Sequence, residues 1–167
     1  YQRVATVAGP PDNTAAQDRK QGYLDALQDR GRLIDDALIA SGDFTQGGGY
    51  EAVKRLLPHQ PDAVFVASDT MAMGALQAIR GAGLAVPDDI ALVGFDDLPQ
   101  ATMVDPPLTT VRQPIQRVGV LAVKTLIDML QNGLDLPRRL ILPTELVIRD
   151  SCGAGKIDWG KEQVRTE

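Results

Sequence analysis

Short apolar runs alternate with stretches of helical periodicity over the first two-thirds of the chain. Residues 3–8 (RVATVA), 37–40, 62–67 (DAVFVA) and 90–94 (IALVG) are nearly continuous apolar runs closed by Gly, Pro, Ser or Asp. Such runs read as strands covered on both faces. Between them lie helical patterns. The first runs from a cap at Asp12, Asn13 or Thr14 to about residue 30. The second spans about 45–57, with Tyr50, Val53 and Leu57 on one stripe and Pro58 at its end, and the third spans about 69–81. A β-α-β-α-β-α-β order at this spacing predicts an α/β fold: a parallel sheet with right-handed crossovers and helices on both faces. After Asp105-Pro106-Pro107 the rhythm changes. Residues 108–112 (LTTVR) are extended, and a helix over about 115–130 follows, apolar on most sides. A last extended run covers 140–148, and a polar tail with Trp159 begins at Gly153.

In such a sheet, ligands bind outside the carboxyl ends of the strands. Segments 9–13, 42–45, 67–70 and 95–99 are therefore the ones to search for chemistry. Arg19 places a guanidinium near the apolar stripe of the first helix, on the row of Tyr23 and Leu27. It either snorkels to water or reaches over the strand ends to an anion or a hydroxyl-rich ligand. Asp96-Asp97 follows the strand IALVG directly. One of the two is expected to be structural, and Asp96 to face the crevice opposite Arg19. Phe44 and Phe95 also follow strands, where an aromatic face suits the C–H face of a sugar or a planar base. Ser68-Asp69 opens the third helix, where Ser or Asp is an ordinary cap that also presents a hydroxyl. Gly47-Gly48-Gly49 lacks the GK[ST] ending of a phosphate loop and reads as a weak helix start.

The third helix carries MAMGALQAI, uncharged and apolar all round. A surface helix should show a polar face. Either this one is covered on both sides or its outer face meets another protein; the second is preferred, with Gly74, Ala75 and Ala78 permitting close approach.

Composition narrows the function classes. The chain has 167 residues, 44% of them hydrophobic, and no apolar run near the length of a membrane span. The opening YQRVATVAGP does not read as a secretory leader. One histidine, His59, and one cysteine, Cys152, make a metal centre, a Ser-His-Asp triad or a disulfide framework poor readings. No carboxylate pair has a credible acid/base partner, so neither an enzyme nor a cofactor is expected. A net charge of −5 makes the chain a poor binder of phosphate backbones by itself.

The strings GDFTQGGGYEAVKRLL, PDAVFVASDTMAMGALQAIRGAGLAVPDDIALVGFDD, PPLTTVRQP and LILPTELVIRDSC closely resemble bacterial LacI/GalR-type transcriptional regulators, from about residue 3 to 152. The resemblance implies a helix-turn-helix head, a hinge and a two-lobed effector-binding domain like a periplasmic sugar-binding protein, its lobes joined by three crossing strands. Residues 1–112 and 143–152 would then form the C-terminal lobe. Residues 113–142 would cross out and give a helix to the N-terminal lobe, and 153–167 would be a tail. The head and most of the N-terminal lobe would lie outside this sequence. By position, Arg19 and Asp96 match the polar clamp on the effector, and Phe44 matches the aromatic it packs against. Ser68 and Asn13 match further contact positions. Met71, Gly74, Ala75, Ala78 and Ile79, with Thr102 and Met103 in the 100–105 stretch, match the homodimer interface. The implied function is sugar-responsive repression in the cytoplasm, with operator DNA bound by the head and not by this part. The alternative is an exported sugar-binding protein feeding a transporter. The 115–130 helix, without its native cover, is expected to bury its apolar surface against another copy.

Overall fold

The computed structural model describes residues 1–133 and 140–156. Six strands form one sheet: β1 (Val4–Ala8), β2 (Ile39–Ser41), β3 (Ala63–Val66), β4 (Ala91–Asp96), β5 (Thr109–Arg112) and β6 (Glu145–Val147). The order is β2-β1-β3-β4-β5-β6; every pairing is parallel except β5 with β6. The helices are α1 (Thr14–Asp29), α2 (Gln46–Leu56), α3 (Asp69–Gly81) and α4 (Ile115–Asn132). β2 is entered through a single 3₁₀ turn, Asp36–Leu38, so the strand begins later than the apolar run alone predicts. Of the expected 140–148 run, only three residues pair as a strand. Pro137, Trp159 and the tail beyond 156 lie outside the described residues.

Right-handed crossovers decide the layers. The chain steps from β1 to β2 in one direction and from β2 through β3 to β4 in the other. This puts α1 on one face and α2 with α3 on the opposite one. Ala5, Val7, Val64, Val66 and Leu92 accordingly join α2 and α3 in one core. Ala16 and Tyr23 are buried outside it, and the Tyr23 hydroxyl donates to Val4 O at 2.9 Å.

α3 corrects one expectation. Met71, Gly74, Ala75, Ala78 and Ile79 are buried within this chain. The sheet and α2 cover the apolar face of the helix between them and leave the stripe of Thr70, Met73, Gln77 and Arg80 toward solvent. A Cβ on Gly74 would overlap Gln46 O, and one on Gly49 would overlap Met71 O, so the two helix backbones lie in contact. Core packing explains these five residues, and none of them offers a face to a partner. Thr102 and Met103, by contrast, are exposed, Met103 at 78%.

α4 differs from the other helices. None of its residues whose exposure is described is buried, and Val118, Val120, Val123, Leu126 and Leu130 stand in solvent. A cavity of about 610 Å³ lies between α4 and residues 140–144, lined by Val118, Leu121, Leu126, Met129, Ile141 and Leu142 among others. The helix does not fold back onto residues 1–110.

Candidate functional site

Three helices begin at the carboxyl end of the sheet, each with a polar cap. Asn13 Oδ1 accepts from Ala16 N (2.9 Å), Thr45 Oγ1 from Gly48 N (3.0 Å) and Ser68 Oγ from Met71 N (3.2 Å). These caps satisfy amides that have no partner inside the helix. They also bring the residues before them to one edge of the sheet. Ser68 is itself buried, so its hydroxyl hydrogen is what it has left to donate.

Arg19 and Asp96 meet at this edge. Arg19 Nη2 lies 3.7 Å from Asp96 Oδ1, Nη1 donates to Ala67 O at 2.6 Å, and the guanidinium stacks 4.0 Å from the centre of the Phe95 ring. Gln113 Nε2 donates to Asp96 Oδ1 at 2.6 Å. Burial lowers the Arg19 pKa against the opposing pull of Asp96. Burial likewise raises that of Asp96, outweighing Gln113, Arg19 and the Asp69 backbone amide. The two charges are thus partly desolvated and incompletely paired, which favours engagement by a further polar ligand. A planar fork of donors beside a carboxylate acceptor, with an aromatic wall, suits vicinal hydroxyls.

Phe44 sits at the exit of β2 with φ of 64°. Its ring fills the space where a Cβ on Gly9 would be, and that same Cβ would meet Ala16. Gly9 is therefore required for the ring's approach to α1. Phe44 flanks α1 one turn before Arg19, whereas Phe95 is covered by the Arg19 guanidinium. Asn13 is exposed at the α1 cap. Of the expected site residues, Arg19 and Asp96 are joined directly; Phe44, Ser68 and Asn13 border the same edge without a side-chain bond to that pair.

Asp97 is the structural member of its pair. Its Oδ1 accepts from Arg149 Nη2 and its Oδ2 from Arg112 Nε, both at 2.6 Å. Arg112 Nη1 also lies 3.4 Å from Glu145 Oε2. Burial pushes the Asp97 pKa up, but the two arginines outweigh it and hold the carboxyl below its ordinary value. Asp96 and Asp97 both have positive φ, 121° and 60°, a backbone state that costs non-glycine residues about 1–3 kcal/mol each. Asp69, fully buried, accepts from Thr110 Oγ1 (2.6 Å) and from Leu98 N (2.8 Å).

Gln113 and Asp69 escape a reading of the sequence. Gln113 was findable by the rule that selects Asp96, since it directly follows a strand's carboxyl end. Asp69 reads as a cap because Ser68-Asp69 opens a helix; its partners, 29 and 41 residues away, leave no local signal.

Among the described residues, no group of three or more His, Cys, Asp or Glu could hold a metal ion. No helix among them is long and apolar enough to cross a membrane.

The chain belongs to the periplasmic binding protein-like domain family, whose model it matches over residues 1–152. Its relatives are LacI-type transcriptional regulators. The regulator CelR of Thermobifida fusca is 42% identical over 153 residues, 90% of this chain and 45% of that protein. The solved complex of the transcriptional regulator CelR with cellobiose aligns with a TM-score of 0.88 at 41% identity, over 90% of this chain and 47% of that one. The lac repressor dimer bound to operator and the anti-inducer ONPF aligns at 0.83 and 32% identity, over 90% and 52%. The chain spans about half the length of the relatives it matches.

Proposed function

We propose that the chain is the C-terminal effector-binding lobe of a sugar-responsive transcriptional repressor, a binding module without catalysis that works in the cytoplasm as a homodimer. The observation that carries this reading is the Arg19–Asp96 pair at the carboxyl end of the sheet, 3.7 Å apart and walled by Phe95. The pair supplies donors and an acceptor for adjacent hydroxyls, Phe44 an apolar platform, and Asn13 and Ser68 flanking polar contacts. Cellobiose in the CelR complex supports a saccharide as the class of effector. The bare apolar face of α4, together with the partial coverage of the relatives, supports residues 113–142 as a contribution to a second lobe. Thr102 and Met103 remain the exposed part of the proposed dimer face. Operator DNA would be held by a separate head. Effector binding would shift the balance between lobe orientations only by its differential affinity for them. The relatives being regulators speaks for this reading over an exported transport protein.

Calorimetric titration of the intact regulator with cellobiose and a panel of mono- and disaccharides tests it. One sugar should bind, and Asp96→Ala should weaken that binding more than about tenfold, as loss of a charge-assisted bond costs about 1.5–3 kcal/mol. Unchanged affinity in a folded variant removes Asp96 from the site.

A further inference from the structure

We infer that the Asp69 side chain, whose bonds go to Leu98 and Thr110 and not to Asp96, is the group that positions Asp96 for effector binding. The inference rests on the effector reading of Asp96. The carboxylate of Asp69 pins both ends of the segment that carries Asp96. On the near side, a Cβ on Gly94 would overlap Asp69 Oδ1, so glycine is needed there for the carboxylate to lie against β4. Gly94 pairs with Thr110 of β5, whose hydroxyl donates to the same oxygen at 2.6 Å. On the far side, Leu98 N donates to Asp69 Oδ2 at 2.8 Å. Between these two anchors the chain passes through Phe95, Asp96 and Asp97, the last two with φ of 121° and 60°. The sequence FDDL has no glycine to favour that turn. It persists because tertiary bonds over-determine it.

Asp97 is tied to Arg112 at the end of β5 and to Arg149 just after β6, which anchors its side chain and leaves the orientation of Asp96 to the remaining bonds. Asp69 has no cationic partner among its bonds: it is fully buried at the first turn of α3, and its two acceptor oxygens are committed to the turn and to β5. A buried carboxylate with that bonding has one evident consequence, which is the path of residues 95–98. Asp96 Oδ1 then lies 2.6 Å from Gln113 Nε2 and 3.7 Å from Arg19 Nη2.

Crystal structures of the ligand-free chain carrying single substitutions test this. Asp69→Ala is expected to release the turn: Asp96 and Asp97 move to negative φ, and the Asp96 carboxylate leaves Gln113 and Arg19. Asp69→Asn is expected to restore both, because its amide oxygen accepts from Leu98 N while its amide nitrogen donates to Thr110 Oγ1. A role resting on the negative charge of Asp69 would be lost in both variants alike. An alanine variant with the turn intact overturns the inference, as does an asparagine variant that loses the turn. Should the alanine variant not fold, Thr110→Val, nearly the same shape without the hydroxyl, decides through amide hydrogen exchange. Thr110 Oγ1 also accepts from Asp97 N at 3.4 Å, so the Leu98 amide, bonded to Asp69 alone, is the readout: faster exchange there supports the inference, and unchanged exchange there overturns it. No sugar enters these measurements. A chain with the expected turn that binds no sugar counts against the effector reading and leaves the role of Asp69 standing.

Discussion

Asp96 and Asp97 are adjacent, identical in chemistry and opposite in role. The difference is set by what faces each one: Arg19 at 3.7 Å and Gln113 for the first, two arginines at 2.6 Å for the second. Their pKa shifts are opposite as well, and so is their effect on stability. The Asp97 carboxyl is held below its ordinary value. It therefore contributes stability that is fully present above the unfolded value of about 3.9 and is lost as pH falls through the folded value. Asp97→Asn should lower the urea midpoint at neutral pH, and the gap to the parent should close in acid below that range. Asp69 has the reverse sign: burial raises its pKa, outweighing the Thr110 and Leu98 bonds, with Asp96 and Asp97 adding to the rise. The fold loses stability as pH climbs through the window between its unfolded and folded values. Asp69→Asn should flatten that part of the profile. A parent and variant that run parallel across the whole range would contradict either assignment.

At the scale of elements, the contact of α2 with α3 is the feature least open to change. Gly49 and Gly74 let each helix backbone rest on the other, where an added Cβ would meet backbone atoms that no rotamer change can clear. Gly74→Ala should destabilise the fold by about 1–3 kcal/mol through overpacking. Alanine's helix preference, about 1 kcal/mol over glycine, offsets only part of that. An alanine variant as stable as the parent in urea would show that the helices separate freely. The same contact explains how far the sequence could be read. The four parallel strands β1–β4 and α1–α3 were legible because buried strands and capped, periodic helices each leave a local pattern. The partner of α3 was not. An all-round apolar helix implies cover on both sides, but periodicity does not say whether the cover comes from the same chain. The triple glycine read as a weak helix start also conceals that Gly49 is a packing position. β6 was blurred for a different reason: three residues paired antiparallel to β5 are too short a run to show alternation. In the site, Asp96 was legible from its place at a strand end, and Arg19 from its charge near the apolar stripe of α1. Asp69, Arg112 and Arg149 act through long-range bonds that no local spacing reveals.

For the molecule as a whole, charge and apolar surface point to separate outcomes. With a net charge of −5, the chain alone should give no salt-sensitive, sequence-specific shift of operator DNA in a gel assay. The apolar surface of α4 has a stronger effect. Val118 is 49% exposed, Leu126 55% and Leu130 78%. Each large side chain left in water forgoes about 1.5–3 kcal/mol. Covering four of them would yield a gain of the same order as the cost of bringing two molecules together, roughly 4–15 kcal/mol. The balance is close enough that association should follow concentration. No α4 residue whose exposure is described is buried, so a second copy can reach both α4 and the cavity beside it. Sedimentation of the isolated chain should therefore show a rising average mass with concentration. The double variant Val118→Glu with Leu126→Glu should remain monomeric with an unchanged melting temperature, since neither residue belongs to the core. A chain that stays monomeric at high concentration, and behaves the same with both glutamates in place, would mean that α4 finds its cover within a single molecule.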